Sequence, residues 1–265
     1  MPQPLLTIGF GEIRERVKNA SSLSLFLSFD GALTPIVEDP GKVKIAESTR
    51  NILDFLSKRD DVLPAVVSGR ALSDLTARTG IDRIVYVGNH GLEINGRGLR
   101  FIEPFAAAKS ELLARISESL AANLQGIPGA RVEYKGLTTS VHYRQTPVTN
   151  FREVERIVQA VVAPAVSPFY IDVGKMVLDV IPRTDWHMGA AVCWINSRLA
   201  EKGAVSIYVG DDRTDETAFR RLTDEITICV GNPNWSTARY HVSSPAEVRE
   251  FLVWMSKSRW GTSPN

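Results

Sequence analysis

Short apolar runs recur along the 265-residue chain, and most stop at a glycine, a serine or an acidic residue. Ser24 to Asp30 (SLFLSFD), Val62 to Val67 (VLPAVV), Ile84 to Val87, Val205 to Val209 and Ile226 to Val230 are short for helices, and their unbroken hydrophobicity suits strands buried on both faces. Between them apolar residues recur at helical spacing, as at Ile45, Ile52, Leu53 and Leu56 or Ala191, Trp194, Ile195 and Leu199. Strands that alternate with amphipathic helices predict an α/β fold, a parallel sheet flanked by helices.

The middle of the chain follows another pattern. A long helix is marked by Leu112, Leu113, Ile116, Leu120 and Leu124, and a second by Phe151, Val154, Ile157, Val158 and Val161. Alternating segments at Arg131 to Arg144 and Phe169 to Ile181 are each broken by a turn, Lys135-Gly136 and Val173-Gly174. Two hairpins and two helices predict an α+β module inserted into the α/β core. The expected boundaries give a core of residues 1–100 and 182–265 and an insert of residues 101–181.

Charge narrows the partners. With 31 Lys and Arg against 30 Asp and Glu, the chain has no basic field for nucleic acid or an acidic membrane. Cys193 and Cys229 have neither metal-ligand spacing nor the density of a disulfide scaffold, which points to a reducing compartment. No stretch approaches the roughly 18 apolar residues of a membrane span, and the first residues lack a signal peptide's apolar run. The expected setting is cytoplasmic, the expected partner a small molecule, and the expected state a monomer.

Ligands of open α/β sheets bind beyond the carboxyl ends of the strands, so the residues there are the candidates. The first run delivers Asp30, and the fourth delivers Gly210-Asp211-Asp212-Arg213-Thr214-Asp215-Glu216, hard oxygen donors of the kind Mg²⁺ takes. Acids in the first turn of a helix are also favoured by its dipole, so each alone can be a cap. After the second run, Ser68-Gly69-Arg70 opens a helix whose hydroxyl and N–H groups could hold an anion.

These segments resemble those of a known family. Ser28 to Pro35 (SFDGALTP), Val67 to Arg70 (VSGR), Gly88 to Glu93 (GNHGLE) and Tyr208 to Phe219 (YVGDDRTDETAF) are similar to four segments of the trehalose-6-phosphate phosphatases, in the haloacid dehalogenase superfamily. Supporting matches at Lys135, Val141 to Arg144 and Gly174 to Pro182 extend the resemblance from about Leu23 to Leu252. It implies a haloacid-dehalogenase-like core with an α+β cap, and phosphoryl transfer through an aspartyl phosphate that water hydrolyses. Position by position it makes Asp30 the acid/base, and Ser68, with Gly69 and Gly31, the phosphate-binding groups. It also implies Mg²⁺ held by Asp30 and Asp211 with Asp212 and Asp215 in support. The cap would close over the sugar with Lys135, His142, Arg144, Lys175 and Asp179, joined by Glu93 from the core.

The chain departs from this pattern at the phosphoryl itself. Ser28 occupies the nucleophile position two residues before Asp30, Ala32 replaces a phosphate-binding hydroxyl, and Met188 replaces the catalytic lysine. A serine hydroxyl without an adjacent base is a poor nucleophile, and the phosphomonoester it forms lacks the lability of an acyl phosphate. Ser28 also removes a negative ligand from Mg²⁺. The expected function is therefore a protein that binds a phosphorylated disaccharide and has lost or severely impaired phosphatase activity, with a protein partner if its role is regulatory. Two other readings stay open: a Mg²⁺-dependent phosphatase of altered chemistry, and a non-catalytic interaction protein on the same scaffold.

Overall fold

The apolar runs become buried strands in a computed structural model that describes residues 2–5 and 9–264. The chain divides into two compact units, Met1–Phe101 with His187–Asn265, and Ile102–Trp186. The first unit opens with β1 (Gln3–Pro4), α1 (Phe10–Asn19), β2 (Leu23–Ser28), α2 (Glu47–Ser57), β3 (Val62–Val67), α3 (Leu72–Thr79), β4 (Val85–Gly88), β5 (Glu93–Gly96) and β6 (Leu99–Ile102). The second unit carries α4 (Pro104–Ala108), α5 (Ser110–Leu124), β7 (Arg131–Tyr134), β8 (Thr139–His142), α6 (Phe151–Val162), β9 (Phe169–Val173) and β10 (Val177–Pro182). The chain then returns to the first unit with α7 (Met188–Leu199), β11 (Val205–Gly210), α8 (Glu216–Phe219), β12 (Ile226–Val230), β13 (Tyr240–Val242) and α9 (Pro245–Trp260).

The first unit is built on a 9-stranded sheet in the order β1-β13-β12-β11-β2-β3-β4-β5-β6. Neighbours from β1 to β4 pair in parallel, and β5 pairs antiparallel to β4. Leu23, Leu25, Leu27, Ile207, Val209, Ile226 and Ile228 pack on one face against Ile13, Val17, Ile52, Leu56, Phe251 and Leu252 of α1, α2 and α9. On the other face Phe26 stacks on Tyr208, whose ring meets Phe219 of α8 edge-on, and Asn196 of α7 donates to Ser206. Both faces are covered, which is why these strands read as continuous apolar runs. The register aligns the strand ends: Ser28 lies opposite Val67, Val67 opposite Val87, and Leu27 opposite Val209. The candidate residues after each strand thus issue from one edge of the sheet.

In the second unit a 4-stranded antiparallel sheet runs in the order β7-β8-β10-β9. Val141, Leu178, Val180 and Phe169 form its core with Leu113, Leu120, Val154 and Val158 of α5 and α6. The strand period of two sends the alternate residues, Ser140, His142, Asp179 and Tyr170, to the opposite face. No helix among the described residues is long and apolar enough to cross a membrane.

Candidate phosphate site

The end of β2 is a tight, self-bonded turn. The N–H groups of Leu33 and Thr34 donate to the Ser28 and Phe29 carbonyls, the Thr34 hydroxyl also donates to Phe29, and Gly31 N–H donates to Thr34. Ala32 and Leu33 point into the core, and Ser28 is 8% exposed. Gly31 has φ +78°, and a Cβ there would lie 2.1 Å from a carboxylate oxygen of Asp211. Only glycine fits: the Asp211 carboxylate at the end of β11 lies directly against this turn.

The turn after β3 brings Ser68 and Arg70 to Asp30. Arg70 Nε and Nη2 donate to the two Asp30 oxygens at 2.8 and 2.7 Å, and Ser68 Oγ donates to Asp30 Oδ2 at 3.4 Å while accepting the Arg70 N–H. Arg70 is fixed from behind by Asp74 at 2.9 Å and by the Pro40 carbonyl at 3.0 Å. Burial opposes the Arg70 charge, but the bonds and charges of Asp30 and Asp74 outweigh it, and its pKa is raised. Asp30, expected as acid/base, meets Arg70 through both of its oxygens in a bidentate pair.

Asn89 and His90, just beyond β4, have φ of +49° and +59°, values uncommon outside glycine. Their N–H groups donate to the Arg70 and Ser68 carbonyls, which zips this turn to the Ser68-Gly69-Arg70 turn. The His90 ring lies against Gly69, where a Cβ would come within 2.4 Å of it. Asn89 also donates to Glu93 at 3.3 Å. His187 caps α7, its Nδ1 accepting the Ala190 N–H at 3.2 Å. Met188 follows with 2% exposure, an apolar side chain in the core where the resemblance places a charged amine.

The acidic loop after β11 is organised inward. Asp215 is fully buried: Oδ1 accepts the Tyr208 hydroxyl at 2.6 Å, and Oδ2 accepts the N–H groups of Asp211 and Asp212 at 2.9 and 3.1 Å. Burial and then the Asp211 charge push its pKa up to about 7, against the pull of these hydrogen bonds. Asp212 Oδ1 accepts the Arg213 N–H. Glu216 accepts from the Ser236 hydroxyl and from both the N–H and hydroxyl of Thr237, tying the loop to the turn after β12.

In the second unit, Lys135 lies 3.3 Å from Asp179, with side-chain exposures of 5% and 9%, and Ser140 Oγ donates to the same carboxylate. His142 Nε2 and Glu133 are 2.8 Å apart, and Arg144 donates to the Lys175 carbonyl at 2.6 Å.

The structure thus joins Ser28, Asp30, Gly31, Ser68, Gly69 and Asp211 around adjoining turns, and Lys135 with Asp179 on one sheet face. Among the described residues no three His, Cys, Asp or Glu side chains form a group that could hold a metal ion. The donor chemistry gives the reason. Asp30 is paired with Arg70, Asp215 faces inward, and Ser28 carries no charge, so the four expected carboxylates do not make a ready Mg²⁺ site. Sequence reading gave no role to Glu133 or Ser140, and took Arg70 and Glu216 only as members of the anion-binding turn and the acidic run. Arg70 and Glu216 lie within the matched segments, but their partners are distant in sequence or of ordinary type.

The comparisons agree with this architecture. The Trehalose-phosphatase family profile matches residues 26–249. Trehalose 6-phosphate phosphatase RA3 of Zea mays is 32% identical over 260 residues, covering 91% of this chain and 71% of its own length. Trehalose-phosphate phosphatase of Mycobacterium tuberculosis is 33% identical over 237 residues, and the match covers 86% of this chain and 60% of that relative. The C-terminal domain of C. albicans trehalose-6-phosphate phosphatase shares the fold with a TM-score of 0.83 at 20% identity, over 96% of this chain and 97% of that one. With its core sheet, inserted α+β unit and matched strand-end segments, the chain belongs to the trehalose-phosphatase family.

Proposed function

We propose that this protein binds a phosphorylated disaccharide of the trehalose 6-phosphate type and does not turn it over at a phosphatase's rate. The observation that carries this reading is Ser28 at the carboxyl end of β2, in the position the family motif gives to its nucleophilic carboxylate. Attack by its hydroxyl would break the phosphoryl–oxygen bond of the sugar ester only to form another phosphomonoester, with no labile intermediate for water to open. Two further features support the same reading. Both Asp30 oxygens are taken up by Arg70 rather than turned to a reacting group, and Met188 offers no charge to a developing oxyanion.

Binding draws on different groups. Ser68 and the turn around it are retained for the phosphate, and Glu93, Lys135, His142, Arg144, Lys175 and Asp179 for the sugar, in a family whose curated relatives carry trehalose phosphate in their names. The test is calorimetry with trehalose 6-phosphate beside an assay of phosphate release. Binding heat with release no faster than the buffer blank is expected; rapid phosphate release by the unmodified chain would overturn the proposal, as would no heat at millimolar ligand.

A further inference from the structure

The donor set around Asp30 departs from what the resemblance implies for its cation. A divalent ion such as Mg²⁺ is usually held by one or two carboxylates together with substrate phosphate oxygens, and its affinity follows the negative charge the protein supplies. Here that charge is largely cancelled or turned away. Arg70 takes both Asp30 oxygens at 2.8 and 2.7 Å and is itself fixed by Asp74 and the Pro40 carbonyl. The Arg70 side chain is 11% exposed and that of Asp30 38%, so the guanidinium is enclosed while the carboxylate keeps one side open to solvent. Ser28 brings a neutral hydroxyl. Both Asp215 oxygens accept bonds from Tyr208, Asp211 and Asp212, and Asp212 Oδ1 caps the next peptide N–H. Asp211 leans on the turn that holds Asp30.

We propose that the site carries no divalent cation of its own, and that the Arg70 guanidinium neutralises Asp30 in its stead, so that ligand binding is independent of Mg²⁺. The ligand statement rests on the functional reading above; the statement about the cation does not.

Titration of the unmodified chain with Mn²⁺, followed by electron paramagnetic resonance of the free ion, tests the cation directly. No saturable site tighter than about 1 mM is expected, and Ser28→Asp, which restores one anionic donor, should tighten binding by about tenfold or more. One saturable Mn²⁺ site tighter than about 1 mM in the unmodified chain overturns the proposal. The unmodified chain decides the question even if the variant folds poorly. Calorimetry with trehalose 6-phosphate in EDTA and in Mg²⁺ then separates the two claims. Equal heats support Mg²⁺-independent binding, and heat in Mg²⁺ alone overturns it. No heat in either buffer overturns the ligand reading, and the Mn²⁺ titration still decides for or against the cation.

Discussion

Asp215 shows how one buried carboxyl can tie local structure to the solution behaviour of the protein. Its folded pKa, about 7, lies above the ordinary 3.8, so the folded state holds a proton that the unfolded state has released between these values. The unfolded state then binds fewer protons, and stability falls as pH rises from about 4 to about 7 and levels off above. The expected outcome is an unfolding midpoint that drops across this window in the unmodified protein. In Asp215→Asn the drop should be smaller, because an amide can donate to the Tyr208 oxygen and accept the Asp211 and Asp212 N–H groups without a charge. Thermal unfolding of both proteins at a series of pH values checks this; identical pH profiles would remove Asp215 as the cause. The sequence offered Asp215 as one acid among several, and only its enclosure by Tyr208 and two peptide N–H groups distinguishes it from Asp212.

Where elements meet, close backbone approach fixes the site. A Cβ on Gly189, in the first turn of α7, would lie 2.2 Å from the Thr217 carbonyl oxygen, and Gly189 N–H donates to the Thr217 hydroxyl at 3.0 Å. Alanine at an open helical position would stabilise by up to about 1 kcal/mol. Gly189→Ala should instead cost about 1–3 kcal/mol in urea denaturation, because the backbone on both sides must shift. The sign of the effect decides whether this contact is tight. The helices α5 and α6 were legible because their periodicity extends over many residues, and the five central strands because each is an unbroken apolar run. β1, β5, β6 and β13 span only 2 to 4 residues. None of them forms an unbroken apolar run, and their pairing with a neighbouring strand makes them strands. Pro64 in β3 is a related case. β4 pairs with β3 only from Ala65 onward, so the missing N–H precedes that ladder.

At the scale of the whole molecule, the chain leaves one unit, completes a second and returns. Ile102–Trp186 is continuous and has its own sheet and its own core of Leu113, Leu120, Val141, Val154, Val158 and Val180. A fragment of these residues is expected to fold alone, with dispersed amide resonances and a cooperative unfolding transition. A collapsed, poorly dispersed spectrum would show that this core depends on the rest of the chain. The first unit is split in sequence, and β2 and β11, which lie side by side in its sheet, come from opposite sides of the insertion.

The sequence by itself determined the alternating α/β plan, the inserted α+β unit, the family, and the absence of a carboxylate at Ser28, because these are local patterns or the identities of single residues. The tertiary structure alone decided that Asp30 pairs with Arg70, that Lys135 faces Asp179, and that Glu216 joins the turn at Ser236 and Thr237. Those partners lie 40, 44 and about 20 residues apart. They meet because of strand register and loop closure, and no periodicity in the chain records which charge will face which.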